Sequence, residues 1–400
     1  MQPKADLALM RGMNERIVLS LLRQEQRISR AELARRSKLS RSTISSIVAE
    51  LLATGLVRET GVGSSHGGRR PIMIELNYQS SYLLGVEIDS SALRLLVADL
   101  ASNVLWRTKQ PFALAAGPAV GIPRMAALVQ QCLAEAQIAR EQIVGVGVGA
   151  PGWLASAPGR LIVPALLPGW HNTPLRSALE QALGLRVCVE NNANLGALAE
   201  MRSGAARGGQ NVAYVHVGDA GIGCGLVING SLYQGHLGAA GAIGHLVVDE
   251  AGPPCVCGRR GCLEAVAGAR ALLARARALG LDCPQLEDLP RLARAGDRRA
   301  AELIASAGAS LGTAISSLFS IINPSRVILG GGLAGSDELL RAVRQTVRRR
   351  CGTADDAVAV VAGGLGDDTI ALGGVALMLR QLFDTPAADN RGAFGALERG

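Results

Sequence analysis

The densest group of chemically capable residues in this 400-residue chain is His245 followed by Cys255-Val256-Cys257-Gly258-Arg259-Arg260-Gly261-Cys262. Three thiolates and one neutral imidazole form a closed Cys3His set, the arrangement in which structural Zn2+ is held tetrahedrally by protein alone. No coordination position is left for a water, so such an ion pins a loop rather than performing chemistry. The sequence therefore predicts a structural Zn2+ on His245, Cys255, Cys257 and Cys262. Unrelated thiols are the competing reading, and the tight spacing, the intervening glycines and the upstream histidine weigh against it. The other cysteines (Cys132, Cys188, Cys224, Cys283 and Cys351) are scattered and read as plain core or surface thiols.

A second group could meet phosphate and base edges. Ser40 can cap a helix from Arg41 to about Ala53 in which Ile44, Ile47, Val48, Leu51 and Leu52 share one side, while Ser42, Ser45, Ser46 and Ala49 face the other. Short polar side chains let a helix backbone approach the major groove closely, and Arg41 at its start could clamp a phosphate. Two helices are expected upstream: Asn14–Arg23, and a short one opened by the capping box Ser29-Arg30-Ala31-Glu32. Downstream, Gly55–Glu59 and Pro71–Leu76 read as strands around a glycine-rich tip, Gly61–Arg70, carrying Arg69 and Arg70. This is the pattern of a winged helix-turn-helix, with Arg41, Ser42, Thr43, Ser45, Ser46, Arg69 and Arg70 as candidate DNA contacts. A helical protein-interaction module with a mobile loop is the bland alternative. Charge alone fits a solvated basic face equally well, but the ordered set of three helices, the arginine-tipped wing and the basic excess together favour DNA: residues 1–76 hold 13 Lys or Arg against 7 Asp or Glu, so the rest of the chain carries only +2 of the net +8.

A third group is glycine-rich turns after apolar strands: Gly149–Gly152, Gly218–Gly225 and Gly330–Gly332. Such turns can cradle phosphate, but glycine also simply makes tight turns, so each alone is weak.

These residues need a scaffold. The chain is long enough for two or three domains, and at 48% hydrophobic but only 3% aromatic its cores must rest on Ala, Leu, Val and Ile. From Tyr82 onward strand and helix patterns alternate, which predicts an α/β fold. Leu83–Asp89 and Leu93–Asp99 suggest a hairpin; helices are expected near Pro123–Ala139 and Ala300–Phe319. No apolar run approaches the roughly 20 residues that span a bilayer, and no secretory signal is evident, so a cytoplasmic protein without membrane insertion is expected.

On these residues the chain resembles the ROK family of bacterial repressors and sugar kinases, over about Asn14 to Ala376. Cys-x-Cys-Gly-x-x-Gly-Cys-x-Glu is intact from Cys255 to Glu264, and Gly-x-x-Gly-His from Gly241 to His245. The winged helix ending in Gly68-Arg69-Arg70-Pro71 resembles the repressor branch. The resemblance implies a two-lobed, actin-like ATPase fold behind the DNA-binding module, with a sugar cleft between lobes and assembly as homodimer or homotetramer. The expected divisions are 1–78 for the winged helix, 79–194 plus about 378–400 for the first lobe, and 195–377 for the second, with the zinc site and oligomerisation surface.

Departures from the kinase pattern matter most. The first phosphate loop, Asp-x-Gly-Gly-Thr in family kinases, here falls at Asp89-Ser90-Ser91, preceded by Glu87-Ile88 and without the glycines. In the second, Ala220 replaces Thr, and Asp219 adds a charge that repels phosphate. The family's base, the Asp of Glu-Asn-Asp-Ala-Asn, is Asn192 here, and an amide is no general base near neutral pH. No kinase activity is expected. The family's sugar contacts map to Asn191, Asn192, His245 and Glu264, whereas the Glu three residues before His245 is Ala242. The expected function is a repressor of carbohydrate genes, binding a double-stranded DNA operator under control of a sugar or sugar-phosphate effector. The alternatives are a sugar kinase with an accessory DNA module, and a regulator that senses a protein partner.

Overall fold

A computed structural model of the chain describes residues 7–63, 70–154, 161–162, 169–352 and 359–383. The N-terminal module comprises helix α1 (Leu7–Glu25), strand β1 (Ile28–Ser29), helices α2 (Arg30–Ser37) and α3 (Arg41–Ala53), and strands β2 (Val57–Val62) and β3 (Ile72–Leu76) in the order β1-β3-β2. Ser29 Oγ accepts from Glu32 N at 3.2 Å and Ser40 Oγ from Thr43 N at 3.0 Å, so both helices start where a hydroxyl can satisfy an orphan amide. The expected capping box is half made, because the Glu32 carboxylate turns to Arg35 (2.9 Å) instead of back to Ser29. Lys38, left-handed at φ 59°, makes the tight turn between the helices. Helix α1 is longer than the expected Asn14–Arg23. The only helix-weakening residue in its extra N-terminal turns is Gly12, at a cost of about 1 kcal/mol.

The first lobe contains β4 (Tyr82–Ile88), β5 (Ala92–Asp99), β6 (Val104–Pro111), α4 (Pro118–Glu135), β7 (Ile143–Ala150), β8 (Trp153–Leu154), β9 (Leu161–Ile162), α5 (Leu175–Leu183) and β10 (Val187–Asn191). Its main sheet runs β10-β7-β4-β5-β6, antiparallel through β4, β5 and β6, with β7 and β10 parallel to β4. After α6 (Asn192–Ser203) the second lobe contains β11 (Val212–Gly218), β12 (Gly221–Ile228), β13 (Ser231–Tyr233), α7 (Leu263–Ala267), α8 (Ala269–Ala278), α9 (Asp288–Arg294), α10 (Arg298–Ile321), β14 (Arg326–Gly331), α11 (Asp337–Cys351) and β15 (Ala359–Ala362). Its sheet, β13-β12-β11-β14-β15, repeats the first lobe's pattern of three antiparallel strands followed by two parallel ones. The two lobes are thus copies of one topology.

The chain closes with α12 (Thr369–Phe383), which lies on β4 and β7 along its length. It returns to the first lobe at Thr369, earlier than the expected position near 378. Two glycines permit this seat: a Cβ on Gly85 would stand 2.0 Å from Ala371 O, and one on Gly147 2.0 Å from Gly374 O. Helix α12 also touches α6, and it carries the winged helix: Val18, Leu19 and Leu22 of α1 share one buried cluster with Leu83, Leu96, Ala371, Val375, Leu382 and Phe383. Each of the Val, Leu and Phe side chains contributes about 1.5–3 kcal/mol on burial. The Arg23 guanidinium lies 5.3 Å from the Phe383 ring centre. No free tether separates the DNA module from the first lobe.

Contrary to expectation from the sequence, α10 is long and apolar enough to cross a membrane, but more than half of its apolar window is buried. The helix packs against α11, α9, α8 and α7 as the core helix of the second lobe.

Candidate functional site

Strand β10 delivers Asn191 to the N-terminus of α6, where its Oδ1 accepts from Ala193 N (2.8 Å) and Asn194 N (3.4 Å) and its Nδ2 donates to Gly152 O (2.7 Å). Asn192 is buried, donates to Ile88 O (3.1 Å), and leaves its Oδ1 without a partner; Asn194 Oδ1 is likewise buried and unpartnered. Glu264, on the first turn of α7, accepts from Ile222 N at 2.6 Å; burial raises its pKa, and that amide works against the rise. The structure brings Asn191, Asn192, His245 and Glu264 to one cleft between the lobes, with Trp153, Ala242 and the Gly221–Gly223 turn in its wall.

Sequence reading passed over Glu190. It is buried and accepts from Asn191 N (2.8 Å), Asn194 Nδ2 (2.9 Å) and Gln234 Nε2. Burial raises its pKa, opposed by these bonds. Glutamate in an apolar strand context carried no signal beyond its neighbourhood to the Asn run.

Beside this cleft, and sharing Asp89 and His216 with it, lies a second cavity. Here Glu87, Asp89, Asp219, Glu287 and Asp367 surround a single guanidinium, Arg94, whose nitrogens lie 3.3 Å from Glu87, 4.0 Å from Asp89 and 3.9 Å from Glu287. Burial first, then Asp89 and Glu287, push Asp219 up to about 6, and burial pushes Glu87 up to about 8. Asp89 Oδ1 accepts from Ser90 N (2.8 Å) and, across the cleft, from Ala220 N (3.2 Å). A carboxylate of the chain itself thus occupies a backbone donor of each of the two loops. A polyphosphate would meet more carboxyl groups than cations in this cavity.

Next to the first cleft, Cys255 Sγ lies 3.7 Å from His245 Nδ1, and Cys257 Sγ 3.6 Å from Cys262 Sγ. All four ligand atoms fall within 4.8 Å of one another. Tetrahedral ligands at a Zn–S distance of about 2.3 Å stand about 3.8 Å apart, so this Cys3His cluster matches that spacing. With Nδ1 turned to the sulfurs, the rest of the His245 ring faces the cleft.

On α3, Arg41, Ser42, Ser45 and Ser46 are exposed, while Ile44, Ile47, Val48 and Leu51 are buried. Thr43 is half-buried, its hydroxyl 2.8 Å from Ser40 Oγ, and so belongs to the cap. Ser46 Oγ donates to Glu50 at 3.2 Å. Arg70 is exposed just before β3; Arg69 lies outside the described residues.

Fold and site together define a two-lobed, sugar-kinase-like protein bearing a winged helix-turn-helix. The ROK family profile matches residues 83–381 and a winged helix-turn-helix DNA-binding profile matches 14–58; the chain belongs to the ROK family. It is similar to the xylose repressor of Bacillus subtilis strain 168, 28% identical over 95% of this chain and 98% of that protein. In fold it is similar to a ROK family transcriptional regulator described as a homolog of the Escherichia coli MLC protein: TM-score 0.79, 24% identity, covering 98% of this chain and 100% of that one. It is also similar to a ROK hexokinase from Thermus thermophilus: TM-score 0.60, 31% identity, covering 75% of this chain and 99% of that one, a match without room for the winged helix.

Proposed function

We propose that the protein is a transcriptional repressor of carbohydrate genes whose DNA grip is set by a sugar in the cleft formed by Asn191, Asn192, His245 and Glu264. The observation that carries this reading is the shared use of α12. The helix packs on α6, whose N-terminus forms the cleft, and on α1 of the winged helix, so lobe movement on filling the cleft is passed to the DNA module. The Glu264 carboxylate in the cleft wall favours an uncharged pentose or hexose over a sugar phosphate. Arg41, Ser42, Ser45, Ser46 and the wing arginines Arg69 and Arg70 would touch DNA, in two protomers matched to two half-sites about one or more helical turns apart. The homodimer or homotetramer that this requires is part of the proposal.

The Cys3His cluster would hold Zn2+, which stiffens the loop behind His245 and fixes that ring in the cleft wall. The kinase reading is disfavoured, because Asn192 offers no titratable base and Asp89 already occupies the Ala220 amide.

The test is to sequence genomic DNA retained by the purified protein at physiological salt, with and without D-xylose or D-glucose. A few two-fold-symmetric sites beside carbohydrate genes, released by one sugar, are expected. A salt-sensitive smear without preferred sites overturns the reading, as would ATP turnover with either sugar.

A further inference from the structure

The chain has three tryptophans, and two have evident structural duties. Trp170 is 1% exposed and its indole N–H donates to Leu114 O at 2.7 Å. Trp106 packs against the core of the first lobe. Trp153 differs: it sits half-buried on β8 in the wall of the cleft, and among the described residues nothing accepts from its indole nitrogen.

Its position is fixed from two sides. Asn191 Nδ2 holds the carbonyl of the preceding Gly152, tying β8 to the N-terminus of α6. Its ring stands perpendicular to the His245 imidazole, with centroids 6.4 Å apart at 86°. A large, anchored apolar ring with part of its surface open is an unusual thing to leave in a polar cleft. The same cleft is lined by Asn191, His245 and Glu264, side chains with hydrogen-bonding atoms. A pyranose has matching chemistry, with a C–H face that packs on an aromatic ring and rim hydroxyls that pair with acceptors and donors.

We propose that Trp153 is an effector-contacting residue. Its indole forms the platform for the C–H face of the bound sugar, and its N–H donates to a rim hydroxyl. The proposal rests on the cleft being the sugar site. With Ala242 offering only a methyl group to the same cleft, recognition here shifts from carboxylate hydrogen bonding toward stacking. Because Trp153 touches His245, a sugar seated on the indole also bears on the ring beside the Cys3His loop.

The experiment titrates D-xylose, D-glucose and N-acetyl-D-glucosamine into the full-length wild type, Trp153→Phe and Trp153→Ala, by calorimetry and by tryptophan fluorescence. Thermal melts of the free proteins confirm that both variants fold. The wild type should bind at least one sugar with a change in fluorescence. Trp153→Ala should weaken that sugar at least ~10-fold, as loss of a tryptophan anchor does. Trp153→Phe should retain affinity to within about 3-fold, since the stacking ring remains, while losing the fluorescence change. Unchanged affinity in Trp153→Ala, with the wild type binding normally, overturns the inference and leaves the sugar site standing. No binding of any of the three sugars by the wild type overturns the sugar reading of the cleft, and the inference with it.

Discussion

The buried carboxylate of Glu87 gives the sharpest test of the acidic cavity. Glu87 is 3% exposed on β4, its one cationic neighbour is Arg94 at 3.3 Å, and burial outweighs that partner and pushes its pKa up from 4.5 to about 8. The folded state therefore keeps a proton that the unfolded chain releases once pH exceeds 4.5. As pH rises from there, the unfolded state binds fewer protons than the folded one, and stability falls until Glu87 itself ionises near pH 8. Over that interval the penalty has a ceiling of roughly 4–5 kcal/mol. Asp219, pushed up to about 6 from across the cleft, adds in the same direction. Glu87→Gln keeps an acceptor for Arg94 and removes the ionisation. Its melting temperature should match the wild type at pH 5 and exceed it by pH 9. Several degrees are expected, at about 2–4 °C per kcal/mol for a lobe of this size. A difference that stays constant across pH would refute the buried-charge argument, and a variant less stable at pH 9 would show that the ion pair with Arg94 dominates instead.

Other perturbations separate the elements. Ser40→Ala removes the cap of α3 and should cost about 1 kcal/mol in a melt, together with a several-fold loss of operator affinity. Cys257→Ser should abolish stoichiometric zinc by elemental analysis and lower the melting temperature, whereas Cys283→Ser, half-buried and away from the cluster, should do neither. Gly147→Ala forces a methyl to 2.0 Å from Gly374 O and should cost about 1–3 kcal/mol by pushing α12 from its sheet; operator affinity should fall although no DNA contact is touched.

Much of the scaffold was legible because its signals are local. Ser29 and Ser40 mark helix starts, Lys38 sits in the expected turn, the apolar face of α3 follows the helix period, and the continuous apolar runs of β4 and β5 pair as a hairpin buried on both faces. The Cys3His cluster was legible for the same reason, since three of its ligands lie within one turn of a knuckle. Non-local facts were hidden. Nothing in Thr369–Phe383 says that it lies on β4 and β7, because an apolar helix with glycines fits many partners; the close approaches at Gly85 and Gly147 exist only once the sheet has formed. The length of α10 likewise could not be divided between a lipid-facing and a core-facing surface without its neighbours.

The cleft shows why motif and mechanism need separate arguments. By motif, Asn191 and Asn192 are equal candidates for sugar contact, yet the structure gives them different tasks. Asn191 commits its amide to the α6 cap and to Gly152 O, so its contribution is to hold β8 and α6 together. Asn192 keeps a buried Oδ1 free, and an unpaired buried acceptor costs about 1–3 kcal/mol unless something fills it. The same cost applies to Asn194 Oδ1, likewise buried and unpartnered. Asn194→Ala would remove that unpaired oxygen but also the Nδ2 donor to the buried Glu190 carboxylate, so a thermal melt should show the free protein destabilised rather than relieved. Glu264 and Trp153, by contrast, stand in the wall of the cleft only partly buried, where a ligand can reach them.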